Sequence, residues 1–255
     1  DPRRMGFPRE RIWTGCGVVD NQTIAGGAAV AHAEAGMFRN RLGLPERYFL
    51  FVGRLAPEKN LARLLDAYAG YRQTTGPAAW SLVLVGSGPQ EAELRARAKE
   101  LPGVVFAGFQ QKDTLPPYFG LASCLILPSI SETWGLVVNE AMAAGLPVLV
   151  SQRCGCVPEL VQDGVNGYVC DPLDTEGMAK YLRVMSSETT DVGRMGEASR
   201  QIVASYTPET WAQTLVECID LTLARKQGNV GDQVFRWKSP GFFLQRQSAG
   251  SQIRD

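Results

Sequence analysis

The chain has 255 residues, 45% hydrophobic and 20% charged, with 26 basic side chains against 26 acidic ones. This is the composition of a globular chain with a sizeable core, and the balanced charge gives no ground for a nucleic-acid or membrane-surface partner. Six cysteines without regular spacing (Cys16, Cys124, Cys154, Cys156, Cys170, Cys218) are too few for a disulfide scaffold; with no apolar run of bilayer length and no secretory h-region at the start, the expected location is a reducing, cytoplasmic one.

Residues 1–45 are rich in Arg, Gly and Ala and show no sustained periodicity. From residue 48 short apolar runs alternate with helix-period segments, the pattern of a parallel sheet covered by helices. Strands are predicted at Tyr48–Val52, Trp80–Val85, Val104–Ala107, Cys124–Ser129, Leu146–Ser151 and Asn166–Cys170. Between them helices are predicted with Leu61, Leu64, Leu65, Tyr68 and Tyr71 on one face, then over Pro89–Leu101, around Tyr118 and Phe119, from near Gly135, and over Val157–Val161. Two more helices follow, one with Met178, Tyr181, Leu182 and Met185 on one face, the other over Asp191–Tyr206. Thr207-Pro208 restarts the chain, because Pro suits a helix's first position, and a last helix carries Trp211, Leu215, Cys218 and Ile219. The tail, 227–255, is polar with isolated aromatics at Phe235, Trp237, Phe242 and Phe243, a composition compatible with disorder. The fold class is α/β, a Rossmann-like doubly wound parallel sheet of about six strands.

Two phosphate signatures fail on inspection. Gly86-Ser87-Gly88 follows a strand, but Glu91 stands where the dinucleotide fingerprint needs its third glycine. Gly53 to Asn60 has P-loop spacing, yet Glu58 replaces the second glycine, Asn60 the Ser/Thr, and Pro57 removes a donor. That loop does bring two cations, Arg54 and Lys59, to the carboxyl end of the first strand, where open α/β sheets bind ligands. At another strand end Glu132 precedes a helix start near Gly135, and Glu140 lies inside that helix. A helix N-terminus offers unpaired N–H groups to an anion. Singly, each of these charges reads better as solvated surface or, for Glu132, as a loop residue making a cap; together they converge on one edge of one sheet. Cys154-Gly155-Cys156 lacks a second pair and reads as loop lining rather than a zinc site. His32, the only histidine, reads as incidental.

As a set, Gly53-Arg54-Leu55 with Glu58-Lys59-Asn60, Gly86-Ser87-Gly88, Pro128-Ser129 to Glu132, Gly135-Leu136, Glu140 to Ala143, Gly145 with Pro147-Val148, Pro158-Glu159-Leu160 and Gly164 with Asn166-Gly167 resemble the retaining, nucleotide-sugar-dependent glycosyltransferases of group 1, the family 4 type of the GT-B fold. The resemblance implies the donor-binding, C-terminal half of a two-domain enzyme, an EC 2.4 hexosyltransferase. It implies that Arg54 and Lys59 hold the donor diphosphate and stabilise charge developing on it, aided by N–H groups of Gly135, Leu136 and Val137. Glu132 would accept from donor-sugar hydroxyls and Glu140 from the ribose. Gly53, Gly86 and Gly88 would line the nucleotide, with the base near Phe109 and Gln110. No metal and no cofactor are implied beyond the donor itself, a UDP-, GDP- or ADP-sugar; the acceptor would be a sugar, lipid or small molecule.

On that resemblance, 1–45 is the remnant of a first domain and its crossover (Arg11 to Asn21), 46–206 the nucleotide-sugar-binding domain, 207–226 a helix returning to the first domain, and 227–255 a tail. The acceptor-binding half is expected to lie in a missing N-terminal domain or a partner chain, through which a peripheral membrane placement stays open. The alternative to a transferase is a nucleotide-sugar-binding module that does not turn over alone; a hydrolysing nucleotide-sugar epimerase is a remoter third reading.

Overall fold

The computed structural model describes residues 17–226. The start of the expected crossover, Arg11 to Cys16, and the tail from Gln227 lie outside the described residues. Six strands, β1 (Tyr48–Val52), β2 (Ser81–Val85), β3 (Val104–Gly108), β4 (Cys124–Leu127), β5 (Val148–Ser151) and β6 (Gly167–Cys170), form one sheet in the order β3-β2-β1-β4-β5-β6. Every pairing is parallel, with Leu50 facing Val83 on one side and Leu125 on the other. β1 and β4 are buried on both faces, so they read as unbroken apolar runs rather than as alternation.

The chain winds outward from β1 through α3 (Leu61–Thr75) and α4 (Glu91–Ala98), crosses back by α5 (Pro116–Leu121), and winds the other way through α6 (Leu136–Ala143) and the single turn α7 (Val157–Leu160). Crossovers of one hand running in opposite directions put the two helix sets on opposite faces. α8 (Thr175–Ser186) then packs on α3, and α9 (Val192–Val203) on α6. The reversal creates a switch point between β1 and β4, the place where such sheets bind ligands. Phe49, Tyr71 and Trp80 pack edge to face and tilted at 5.7 and 5.1 Å. Tyr71 also accepts the Trp80 backbone N–H at 2.8 Å. Each such buried aromatic contributes about 1.5–3 kcal/mol by leaving water.

Residues 21–42 correct the sequence reading. They form α1 (Asn21–Ala33) and α2 (Ala35–Leu42), where no periodicity was expected. α1 buries Ile24, Ala28 and Ala31 at helical spacing, but two of the three are alanines. It approaches α5 so closely that a side chain at Gly27 would meet Pro116 Cβ at 2.5 Å, a contact made by small residues and invisible as hydrophobic contrast. Asp20 caps α1 by accepting from Thr23 N at 3.0 Å. The charged helix expected over 89–101 is shorter, Glu91–Ala98. The compact unit that carries the sheet runs to Leu215, and among the described residues 216–226 fall outside it; α10 (Pro208–Lys226) starts at the expected proline, and its apolar residues Trp211, Leu215 and Ile219 are exposed. Among the described residues no helix is long and apolar enough to cross a membrane.

Candidate functional site

The loops at the carboxyl ends of the strands are bound to one another by their backbones. After β1, Gly53 N donates to Val85 O at 3.0 Å and Leu55 N to Ser87 O at 2.9 Å; Gln90 N returns a bond to Leu55 O at 3.0 Å. The glycines of the second loop are explained by this embrace. A Cβ on Gly86, which has φ of 135°, would run into the Gly53 carbonyl, and one on Gly88 would lie 2.7 Å from the Leu55 backbone nitrogen. Close approach of backbone is indeed what these glycines permit, but the backbone they meet belongs to the neighbouring loop.

The β1–α3 loop ends in a 3-10 turn, Pro57–Lys59, with Asn60 at φ 60°. Ile130 N, from the loop after β4, donates to Glu58 O at 2.9 Å. This brings Lys59 across the switch point, where its ammonium donates to the Glu132 carboxylate in an ion pair; both side chains are more than four-fifths buried, at 18% and 17% exposure. Arg54 is exposed and makes no ion pair among the described residues.

Glu132 is held from behind by the segment after β5. Gly155 N donates to Glu132 O at 3.0 Å and Cys156 N to Trp134 O at 3.1 Å. A side chain at Gly155 would overlap the Thr133 carbonyl. Cys154-Gly155-Cys156 is therefore a backbone clamp on the glutamate loop. Its thiols are buried, and burial pushes Cys154 up to about 12 and Cys156 higher still. Among the described residues no cluster of three or more His, Cys, Asp or Glu side chains is arranged to hold a metal ion.

Gly135, at φ 100°, is the N-cap of α6, and no side chain caps that terminus. Its first N–H groups, on Leu136 and Val137, thus have neither intrahelical partners nor a cap. Glu140, one turn further on, is half-buried; burial pushes its carboxyl above the usual range, opposed by the charge of Lys112. On the same helix Asn139 is fully buried, accepts from Trp134 Nε1 at 2.9 Å and donates to Gly17 O at 3.0 Å. At the far end of the sheet Phe109 is 64% exposed, and Gln110 Nε2 is spent on Ala107 O at 2.9 Å. His32 is exposed on α1. Three features of this edge were not legible from residue type: the amide of Asn60, the Trp134–Asn139–Gly17 tie, and the proximity of Lys112 to Glu140. Only Asn60 carried a signal, being a residue type that tolerates the left-handed conformation.

A two-winged parallel sheet with a cation, a carboxylate and an uncapped helix start at its switch point is suited to an anionic, polyhydroxylated ligand. The profile of the family described as glycosyl transferases group 1 matches residues 34–202. The chain belongs to the group 1 glycosyltransferases. It is similar to the D-inositol 3-phosphate glycosyltransferase of Acidothermus cellulolyticus, at 36% identity over 194 residues covering 69% of this chain and 41% of that one. Among solved structures it resembles an Anabaena protein crystallised with UDP, with TM-score 0.65 and 24% identity over 74% of this chain and 53% of that one. It also resembles the C-terminal domain of a group 1 glycosyl transferase from Francisella tularensis, with TM-score 0.60 and 20% identity over 68% of this chain and 92% of that one. The chain itself has the GT-B type of Rossmann-like sheet expected from the sequence. The chain spans between 31% and 51% of the length of the curated relatives it matches.

Proposed function

We propose that this chain carries the donor-binding domain of a retaining hexosyltransferase of the family 4 type, which takes a hexose from a nucleoside diphosphate sugar and passes it to a hydroxyl of a sugar, lipid or small-molecule acceptor. The observation that carries the reading is the Lys59–Glu132 pair at the β1–β4 switch point, beside the uncapped start of α6. Residues 46–206 form the nucleotide-sugar domain in this reading, with α1 and α2 packed onto it; acceptor contacts come from a first domain or a partner chain.

Lys59 and Arg54 hold the diphosphate, and the N–H groups of Gly135, Leu136 and Val137 add the helix-terminus contribution. The phosphate competes with Glu132 for the Lys59 ammonium, which leaves the carboxylate to accept from the sugar hydroxyls. Glu140 accepts from the ribose, and the loops of Gly53, Gly86, Gly88, Phe109 and Gln110 border the nucleoside. In the transfer step the bond from the anomeric carbon to the diphosphate oxygen breaks while the acceptor oxygen bonds on the same face, and a phosphate oxygen takes the acceptor's proton. Negative charge gathers on the leaving diphosphate, and fixed cations in a partly dry site stabilise it without reorganising. No step requires a metal ion.

The fold neighbour crystallised with UDP supports UDP as the first nucleotide to try; the match over nearly all of an isolated C-terminal domain supports the half-enzyme assignment. The test is calorimetric titration with UDP, GDP and ADP, repeated on Lys59→Ala and Glu140→Ala. At least one nucleotide is expected to bind, and loss of a charge-assisted hydrogen bond worth about 1.5–3 kcal/mol should weaken it roughly 10- to 100-fold in Lys59→Ala. If no nucleotide binds, or both variants bind like the wild type, the site is wrong.

A further inference from the structure

The side chain of Asn60 joins the loop after β1 to the chain segments just beyond β4 and β6. It is 95% buried and is the only non-glycine residue with positive φ among the described residues. Its backbone closes the turn that ends in Lys59, with Asn60 N donating to Pro57 O at 3.1 Å, and it opens α3 by accepting from Leu64 N at 3.2 Å. An asparagine at a helix N-cap ordinarily spends its side chain on the helix's own first N–H groups. Here it does not. The amide nitrogen instead donates to Pro128 O at 3.2 Å, at the end of β4, and to Pro172 O at 2.7 Å, just beyond β6. The amide oxygen accepts from Arg63 Nη1 at 3.2 Å, which fixes which way the amide faces.

Three requirements therefore fall on one residue: a left-handed backbone, two donors, and one acceptor. Glycine meets only the first, aspartate has no donor, and alanine meets none. Resting on the donor-site reading above, we propose that Asn60 is a positioning residue for Lys59. By tying the β1–α3 loop to the end of β4, it sets the lysine opposite the Glu132 loop, so that the diphosphate meets an ammonium already in place rather than one that must first be ordered. Asn60 itself touches neither phosphate nor sugar.

The experiment is a double-mutant cycle on nucleotide binding by the 255-residue chain, titrating UDP, GDP and ADP into wild type, Lys59→Ala, Asn60→Gly and the double variant. Asn60→Gly keeps the backbone conformation and removes both donors. It is expected to weaken the best-bound nucleotide by roughly 10-fold, approaching the loss in Lys59→Ala. In the Lys59→Ala background the same change should cost less than about twofold, because its effect passes through the lysine. Should Asn60→Gly fail to fold in a thermal melt, Asn60→Asp completes the same cycle, since it keeps shape and left-handed tolerance while turning a carboxylate toward two carbonyl oxygens. Full affinity in the Asn60 variant with a weakened Lys59→Ala overturns the inference and leaves the donor site standing; so do losses that simply add. Unchanged affinity in Lys59→Ala removes the donor site itself, and this inference with it.

Discussion

Glu140→Gln is expected to make the protein more stable and a poorer nucleotide binder at the same time. The carboxyl of Glu140 is half-buried on α6, and burial raises its proton affinity, with Lys112 opposing. The folded state therefore binds this proton more tightly than the unfolded chain does, so the group contributes least to stability above its folded pKa, and stability recovers as pH falls through that value. Glutamine removes the penalised charge at nearly constant volume. The melting temperature of the variant should exceed that of wild type at pH 7, and the difference should shrink as the pH is lowered past the carboxylate range. Binding moves the other way. A hydrogen bond to a charged acceptor contributes about 1.5–3 kcal/mol against about 0.5–1.5 for a neutral one. Two ribose hydroxyls would then lose about 2 kcal/mol in total, roughly a 30-fold weaker complex. Calorimetry with the ribonucleotide and its 2′-deoxy analogue isolates the contact: wild type should discriminate between them more strongly than Glu140→Gln does. At a pH low enough to protonate part of the Glu140 population, wild type should also release protons on binding, as the hydroxyls favour the ionised form, whereas the variant should not. Equal discrimination by both proteins refutes the assignment of Glu140 to the ribose.

Other expectations concern the scaffold. Gly135→Ala places a Cβ 3.1 Å from Leu127 and 3.4 Å from Glu132 Cγ at a left-handed position, so about 1–2 kcal/mol of strain and a weaker nucleotide complex should appear together. Gly86→Ala, whose Cβ would strike the Gly53 carbonyl, should lower stability by about 1–3 kcal/mol, read as a fall of about 2–4 °C in melting temperature per kcal/mol. Cys154 and Cys156, buried with thiols pushed up, should resist alkylation by iodoacetamide until the protein unfolds; rapid labelling of the native protein would contradict the clamp role of that segment.

The strands were legible because a parallel sheet buried on both faces writes itself as runs such as Phe49-Leu50-Phe51 and Leu125-Ile126-Leu127. From those runs and the helix periods between them, the switch point and the convergence of Lys59, Glu132 and α6 follow by topology. α1 was not legible, since Ala28, Ala31 and Gly27 pack by being small. Asn60 read as a defect in a phosphate loop, because its partners, the carbonyls of Pro128 and Pro172, are backbone atoms distant in sequence. Cys154-Gly155-Cys156 drew notice for its sulfur, while the structural work is done by its backbone N–H groups and the absence of a side chain at Gly155. Residue type announces charge and thiol chemistry readily; it is silent about which main-chain groups will need a partner.

The proposed transfer requires a nucleoside diphosphate at the β1–β4 switch point. A crystal structure of the chain with whichever of UDP, GDP or ADP binds most tightly tests it most directly. The diphosphate is expected within hydrogen-bond distance of Lys59 Nζ and of the backbone N–H groups at the start of α6, with the Lys59–Glu132 pair loosened and the ribose on Glu140. A nucleotide bound elsewhere on the molecule, with Lys59 and Glu132 undisturbed, would contradict it.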